Sequence, residues 1–190
     1  TTQNPKFVRL SNINLESNTK SIIKYLKINP SHTTMTTMPI GYSYGLSIVN
    51  THLASGSKII INNKTIFDKD FWNIVDKYKV TSFGGVPQFY EQLMKLKFEN
   101  FNLTNLKYLT QAGGKLDKNI LKYFEKICKK KNIKFIIMYG QTEASPRMSY
   151  LKWTKLSAKF GSIGKPLNGS KFKIINKTGK NIFLSNVILY

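Results

Sequence analysis

Short apolar stretches alternate with amphipathic ones about four times before residue 138, and this rhythm limits the fold more than any other feature of the chain. Residues 33–38, Ser57 to Ile61, Val80 to Phe83, Lys107 to Thr110 and Ile133 to Met138 read as strands. Between them lie stretches with helical spacing. Residues 12–27 place Ile13, Ile22, Ile23 and Leu26 on one side, with Ser11 as N-cap and Pro30 past the end. Residues 44–54 form a second helix, expected to turn Leu46, Val49 and Leu53 inward before a stop at Gly56. Asp68 or Asp70 opens a third, running to Tyr78 with Phe71, Trp72 and Val75 inward. Pro87 suits the first position of a fourth, which runs to about Lys97. Asp117 caps a fifth that carries Ile120, Leu121, Phe124 and Ile127 on one face. Short apolar strands separated by helices predict an α/β fold: a mostly parallel βαβ sheet covered by helices. From about Gly161 the pattern changes to short strands at 170–175 and 182–190 around a turn at Asn176 to Lys180, the start of a smaller antiparallel β element. The expected organisation is one domain over 1–165 and the beginning of a β subdomain over 166–190.

Composition narrows the function. The formal net charge is +21, which invites a nucleic-acid reading, but of 30 basic residues only Arg9 and Arg147 are arginines. Base reading and bidentate phosphate clamps favour Arg, and the lysines are dispersed, with Lys129-Lys130-Lys131 as the one cluster. A basic nucleic-acid-binding protein is therefore the weakest alternative. One cysteine, Cys128, excludes a disulfide scaffold, and His32 and His52 lack metal-ligand spacing. No apolar run approaches the roughly 18 residues of a membrane-spanning helix. The chain starts at Thr1 without Met and ends on the apolar Val187-Ile188-Leu189-Tyr190, so it is expected to be an internal piece of a larger protein.

In sheets of this kind ligands bind beyond the carboxyl ends of the strands. Three of the predicted strand ends carry Gly where backbone must pass close to something: Gly84-Gly85, Gly113-Gly114 and Gly140. Glu143, the one carboxylate after Glu125, follows the most apolar strand and stands beside Thr142. A hydroxyl and a carboxylate at a strand end suit Mg²⁺ and phosphate oxygens. From spacing alone Glu143 is more often a cap or a partner for lysine than a metal ligand, and Tyr139 is more often a core aromatic than a base-stacking ring.

Six motifs, in order, resemble those of the adenylate-forming superfamily of acyl-CoA synthetases, luciferases and peptide-synthetase adenylation domains. Tyr139-Gly140-Gln141-Thr142-Glu143 matches its Tyr-Gly-x-Thr-Glu motif in full. Ala112-Gly113-Gly114-Lys115-Leu116 is similar to the loop that holds adenine. Pro39 to Leu46, Gly84-Gly85-Val86-Pro87 and Gly161 to Pro166 resemble three further family segments, and Thr1 to Lys6 resembles the end of the family's phosphate loop. The resemblance implies ATP and Mg²⁺ as cofactors and a carboxylate as substrate. It implies an acyl-adenylate and pyrophosphate as products, with CoA or a carrier-protein phosphopantetheine thiol as a possible acceptor. It further implies that Tyr139 stacks on adenine, with Gly113, Gly114, Lys115, Gly140 and Gln141 around the nucleotide. Thr142 would contact the α-phosphate, Glu143 would hold the metal, and Thr1, Thr2 and Lys6 would belong to the phosphate loop. Tyr42, Gly84, Gly85 and Gly113 would line the acid pocket.

Two positions depart from the family pattern. Gln3 replaces a loop Gly, and Tyr42 stands where His is common. The start of the phosphate loop, the ribose-binding Asp, the hinge and the small C-terminal lid domain are not in this sequence. The chain alone is therefore expected to be inactive, and a cytoplasmic setting is expected for the parent enzyme. A non-catalytic nucleotide-binding module is the competing reading, with Gln3 as its best support.

Overall fold

A computed structural model describes residues 7–180. The phosphate-loop residues Thr1, Thr2, Gln3 and Lys6 and the strand expected at 182–190 lie outside them. The described elements run α1 (Asn12–Leu26), β1 (Thr33–Met35), α2 (Ser43–Ala54), β2 (Lys58–Ile60), α3 (Lys69–Lys77), β3 (Ser82–Gly85), α4 (Pro87–Lys95), β4 (Tyr108–Gln111), α5 (Lys118–Lys130), β5 (Lys134–Gly140), β6 (Arg147–Leu151) and β7 (Lys165–Pro166). The strands form one sheet in the order β2-β1-β3-β4-β5-β6-β7. The pairs among β1 to β5 are parallel, whereas β6 and β7 join antiparallel.

Strand alternation sends successive side chains to opposite faces, and each face builds its own core. Phe135 and Leu109 point to a core shared with Phe71 and Val75 of α3, Tyr90 and Leu93 of α4, and Ile120, Leu121 and Phe124 of α5. Ile136, Met138 and Tyr108 point the other way, to Ile22 and Leu26 of α1 and Tyr44 and Ile48 of α2. Helix ends follow local chemistry. Ser11 and Asn14 exchange side-chain and backbone hydrogen bonds at the start of α1. The Asp117 carboxylate accepts from the backbone N–H groups of Asn119 and Ile120 at the start of α5. Asp68 is the N-cap residue of α3, yet its carboxylate turns back to the Thr65 amide and hydroxyl.

Several expectations need correction. Leu46 and Leu53 are 41% and 64% exposed, and Ile13 is 78% exposed. The inward face of α2 carries Tyr44, Ile48, Thr51 and His52 instead, because each polar group there finds a partner. Gly84 and Gly85 do not follow β3 but form its last two residues. β6 has no counterpart among the predicted strands, since its buried residues include Arg147 and Ser149 while Met148 and Tyr150 are only half-buried, the reverse of the usual pattern. At 170–175 the chain forms no strand, only an isolated bridge at Ile175. The turn after it is present, with the Asn176 side chain accepting from the Thr178 and Lys180 amides.

Candidate active site

The carboxyl ends of β4 and β5 open onto one cavity of about 440 Å³. β4 is clamped first. The hydroxyls of Tyr44 and Tyr90, from opposite faces of the sheet, both donate to the Thr110 carbonyl, at 2.9 and 2.7 Å. Burial raises the pKa of both phenols well above its ordinary value, so they remain donors at any physiological pH. Beyond Thr110 the buried Gln111 amide donates to the carbonyls of Ala112 and Gly114, at 3.2 and 2.8 Å, and braces the glycine loop. Gly113 adopts φ +81°, and a Cβ there would come within 2.8 Å of the Tyr42 hydroxyl. Only glycine serves at that turn without strain.

β5 reaches the same cavity through a register shift at Tyr139/Gly140, the kind of irregularity that re-aims a strand end. Tyr139 is half-buried, and its hydroxyl accepts a 3.1 Å hydrogen bond from the Gln141 amide. The hydroxyls of Thr142 and Ser43 stand 3.0 Å apart at the exposed rim, linking this turn to the start of α2.

Of the residues singled out from sequence, the cavity brings together Tyr42, Gly113, Gly114, Lys115, Tyr139, Gly140, Gln141 and Thr142. Gly161, Ser162 and Ile163 close another side, held where the Ser149 hydroxyl donates to the Ile163 carbonyl. Glu143 is exposed, one residue past the wall that Thr142 forms. Gly84 and Gly85, which the resemblance implies for the acid pocket, do not line this cavity. They are buried in β3, where a Cβ on Gly84 would lie 2.6 Å from the Tyr44 hydroxyl. Gly84 thus makes room for a wall residue rather than being one. Sequence reasoning passed over Ser43, Tyr44 and Arg147, all of which line the cavity. A hydroxyl or arginine on an amphipathic stretch carries no local signal of where it points.

Glu143 and Thr142 offer hard oxygen donors side by side at an open rim. Among the described residues no group of three His, Cys, Asp or Glu side chains comes together. A single exposed carboxylate fits Mg²⁺, which commonly takes one or two protein oxygens and completes its shell with phosphate and water.

The comparisons agree with this architecture. Residues 1–186 match the family model of the AMP-binding enzymes, and the chain belongs to that family. The acyl-CoA ligase sidI of Aspergillus fumigatus is 28% identical over 185 residues, which cover 94% of this chain and 30% of that protein. The long-chain-fatty-acid–CoA ligase of Bacillus subtilis is 28% identical over 171 residues, covering 87% and 30%. Among solved structures, o-succinylbenzoate coenzyme A synthetase from Bacillus subtilis, in complex with ATP and a magnesium ion, superposes with a TM-score of 0.83 at 22% identity, over 97% of this chain and 37% of that one. The likeness to that structure is one of fold. The chain spans about a third of the length of the curated relatives it matches.

Proposed function

We propose that this chain forms the nucleotide- and acid-binding part of an ATP-dependent carboxylate-activating enzyme. A carboxylate oxygen attacks the α-phosphorus of ATP, the bond from that phosphorus to the bridging oxygen breaks, and pyrophosphate leaves with its electron pair. A thiol sulfur then attacks the acyl carbon of the acyl-adenylate and loses its proton, the bond from that carbon to the AMP oxygen breaks, and AMP leaves. The names of the relatives support CoA as that thiol, and a carrier-protein phosphopantetheine is the alternative. The observation that carries the reading is the single cavity shared by the Gly113–Lys115 loop and the Tyr139–Thr142 turn, two segments distant in sequence.

In this reading Tyr139 stacks on adenine, and Gly113, Gly114, Lys115, Gly140 and Gln141 surround the nucleotide. Thr142 donates to the α-phosphate. Glu143 holds Mg²⁺, which when bound offsets phosphate charge. Thr1, Thr2 and Lys6 belong to the phosphate loop by their resemblance to it. Tyr42 and Tyr44 border the acid. Most of the work is positioning and charge stabilisation rather than covalent chemistry by the protein. The division at 165/166, a cytoplasmic location, and dependence on the rest of the N-terminal domain and a C-terminal lid are parts of the same proposal.

Pyrophosphate exchange tests it. The full-length protein carrying this chain is expected to exchange label into ATP when given its acid, and the 190-residue chain alone is not. Thr142→Ala and Glu143→Gln should each lower the full-length rate by about 10²-fold, as loss of a transition-state charge contact does. Nucleotide binding without exchange for any acid would instead favour a non-catalytic module.

A further inference from the structure

Arg147 is buried at 4% exposure, yet lines the cavity. It sits opposite Gly140 on the β5–β6 ladder, where any Cβ would collide with the Pro146 carbonyl and the Arg147 backbone. Its guanidinium lies 5.1 Å from the centre of the Tyr44 ring. One of its terminal nitrogens donates to the Tyr25 hydroxyl at 3.1 Å. Nε is buried without a hydrogen-bond partner among the described residues. No carboxylate meets it, for the one ion pair among the described residues joins Lys20 and Glu16 on the surface of α1. A buried cation with so many donors and so few acceptors is costly unless a ligand supplies an anion.

The cavity has a direction. Its rim, at Gly113, Gly114, Gln141 and Thr142, is exposed, while Tyr44, Met138 and Arg147 at its floor are buried. On the reading proposed above, on which this inference rests, the reacting carboxylate meets the α-phosphate beside Thr142 at the rim. Whatever reaches Arg147 is then the far end of the acid. We propose that the substrate is a dicarboxylic acid whose second, non-reacting carboxylate is received by Arg147 on the cavity floor. The planar guanidinium is suited to a carboxylate, and Tyr25 and Tyr44 hold it in place from two sides.

The test compares acids of equal chain length ending in a carboxylate, an amide or a methyl group, by pyrophosphate exchange on the full-length protein. The wild type should show a KM at least tenfold lower for the diacid. Arg147→Met should raise the diacid KM by tenfold or more, leave the KM for ATP unchanged, and shift preference toward the methyl-ended acid. Arg147→Lys should keep part of the diacid preference. The wild-type panel alone decides the matter even if Arg147→Met fails to fold: a preference for the methyl-ended or amide-ended acid overturns the assignment and leaves the ligase reading standing. A raised KM for ATP in Arg147→Met, with the acid KM unchanged, would give Arg147 to the nucleotide and also overturn it. Absence of exchange with every acid overturns the ligase reading and this assignment together.

Discussion

His52 shows how one side chain can carry a pH dependence for the whole fold. Its Nδ1–H donates to the Ile48 carbonyl at 2.8 Å, so Nε2 is left to accept from the Tyr108 hydroxyl at 3.1 Å. Burial lowers its pKa to about 4 from the ordinary 6.5, partly opposed by the bond to Ile48. His32 is lowered in the same direction, by burial first and then by Lys107 and Lys134. The unfolded chain therefore binds a proton that the folded chain refuses. Stability is fully present above pH 6.5 and falls as the pH drops toward 4, by about 3 kcal/mol for His52. Melts taken across that window should show this slope, and His52→Gln should flatten it while lowering stability at neutral pH. Cys128 takes no part, since burial pushes its thiol up to about 12 and keeps it protonated and unreactive.

At the scale of elements, α2 is the helix whose apolar stripe misleads. Ile48 is buried against the α1 side of the sheet, whereas Leu53 stands in solvent. Ile48→Ala should cost about 2–4 kcal/mol through lost burial and a residual cavity. Leu53→Lys should change stability by less than about 0.5 kcal/mol. Denaturant midpoints for the two variants would separate the faces, and equal losses would contradict the placement of α2. The capped starts of α1 and α5 are the opposite case. Ser11 and Asp117 act within one turn of their own helices, so the sequence alone indicates both.

Across the whole molecule, charge and topology act separately. With +21 net charge carried mainly by dispersed lysines, the chain should bind duplex DNA weakly and without sequence preference. Binding should vanish steeply as salt rises, which a salt titration would show, and binding that survived high salt or favoured one sequence would speak for selective recognition. The parallel core and its five helices were legible beforehand because apolar periodicity is a local property of consecutive residues. So were the glycine loop at 113–114 and the turn from Tyr139 to Glu143, since strand ends mark where a sheet of this class binds. β6 was not legible, because its inward positions include Arg147 and Ser149, polar side chains that can be buried only where partners such as Tyr25, Tyr44 and the Ile163 carbonyl wait. Nor was the packing of Gly84 against the Tyr44 hydroxyl and of Gly85 against Phe89. Chain order and hydrophobic spacing thus determine which segments become strands and helices and which turns gather at the carboxyl ends of the strands. Which polar side chains share the cavity, and that an arginine without an acid stands at its floor, depends on contacts between segments far apart in sequence, and these exist only once the sheet has closed.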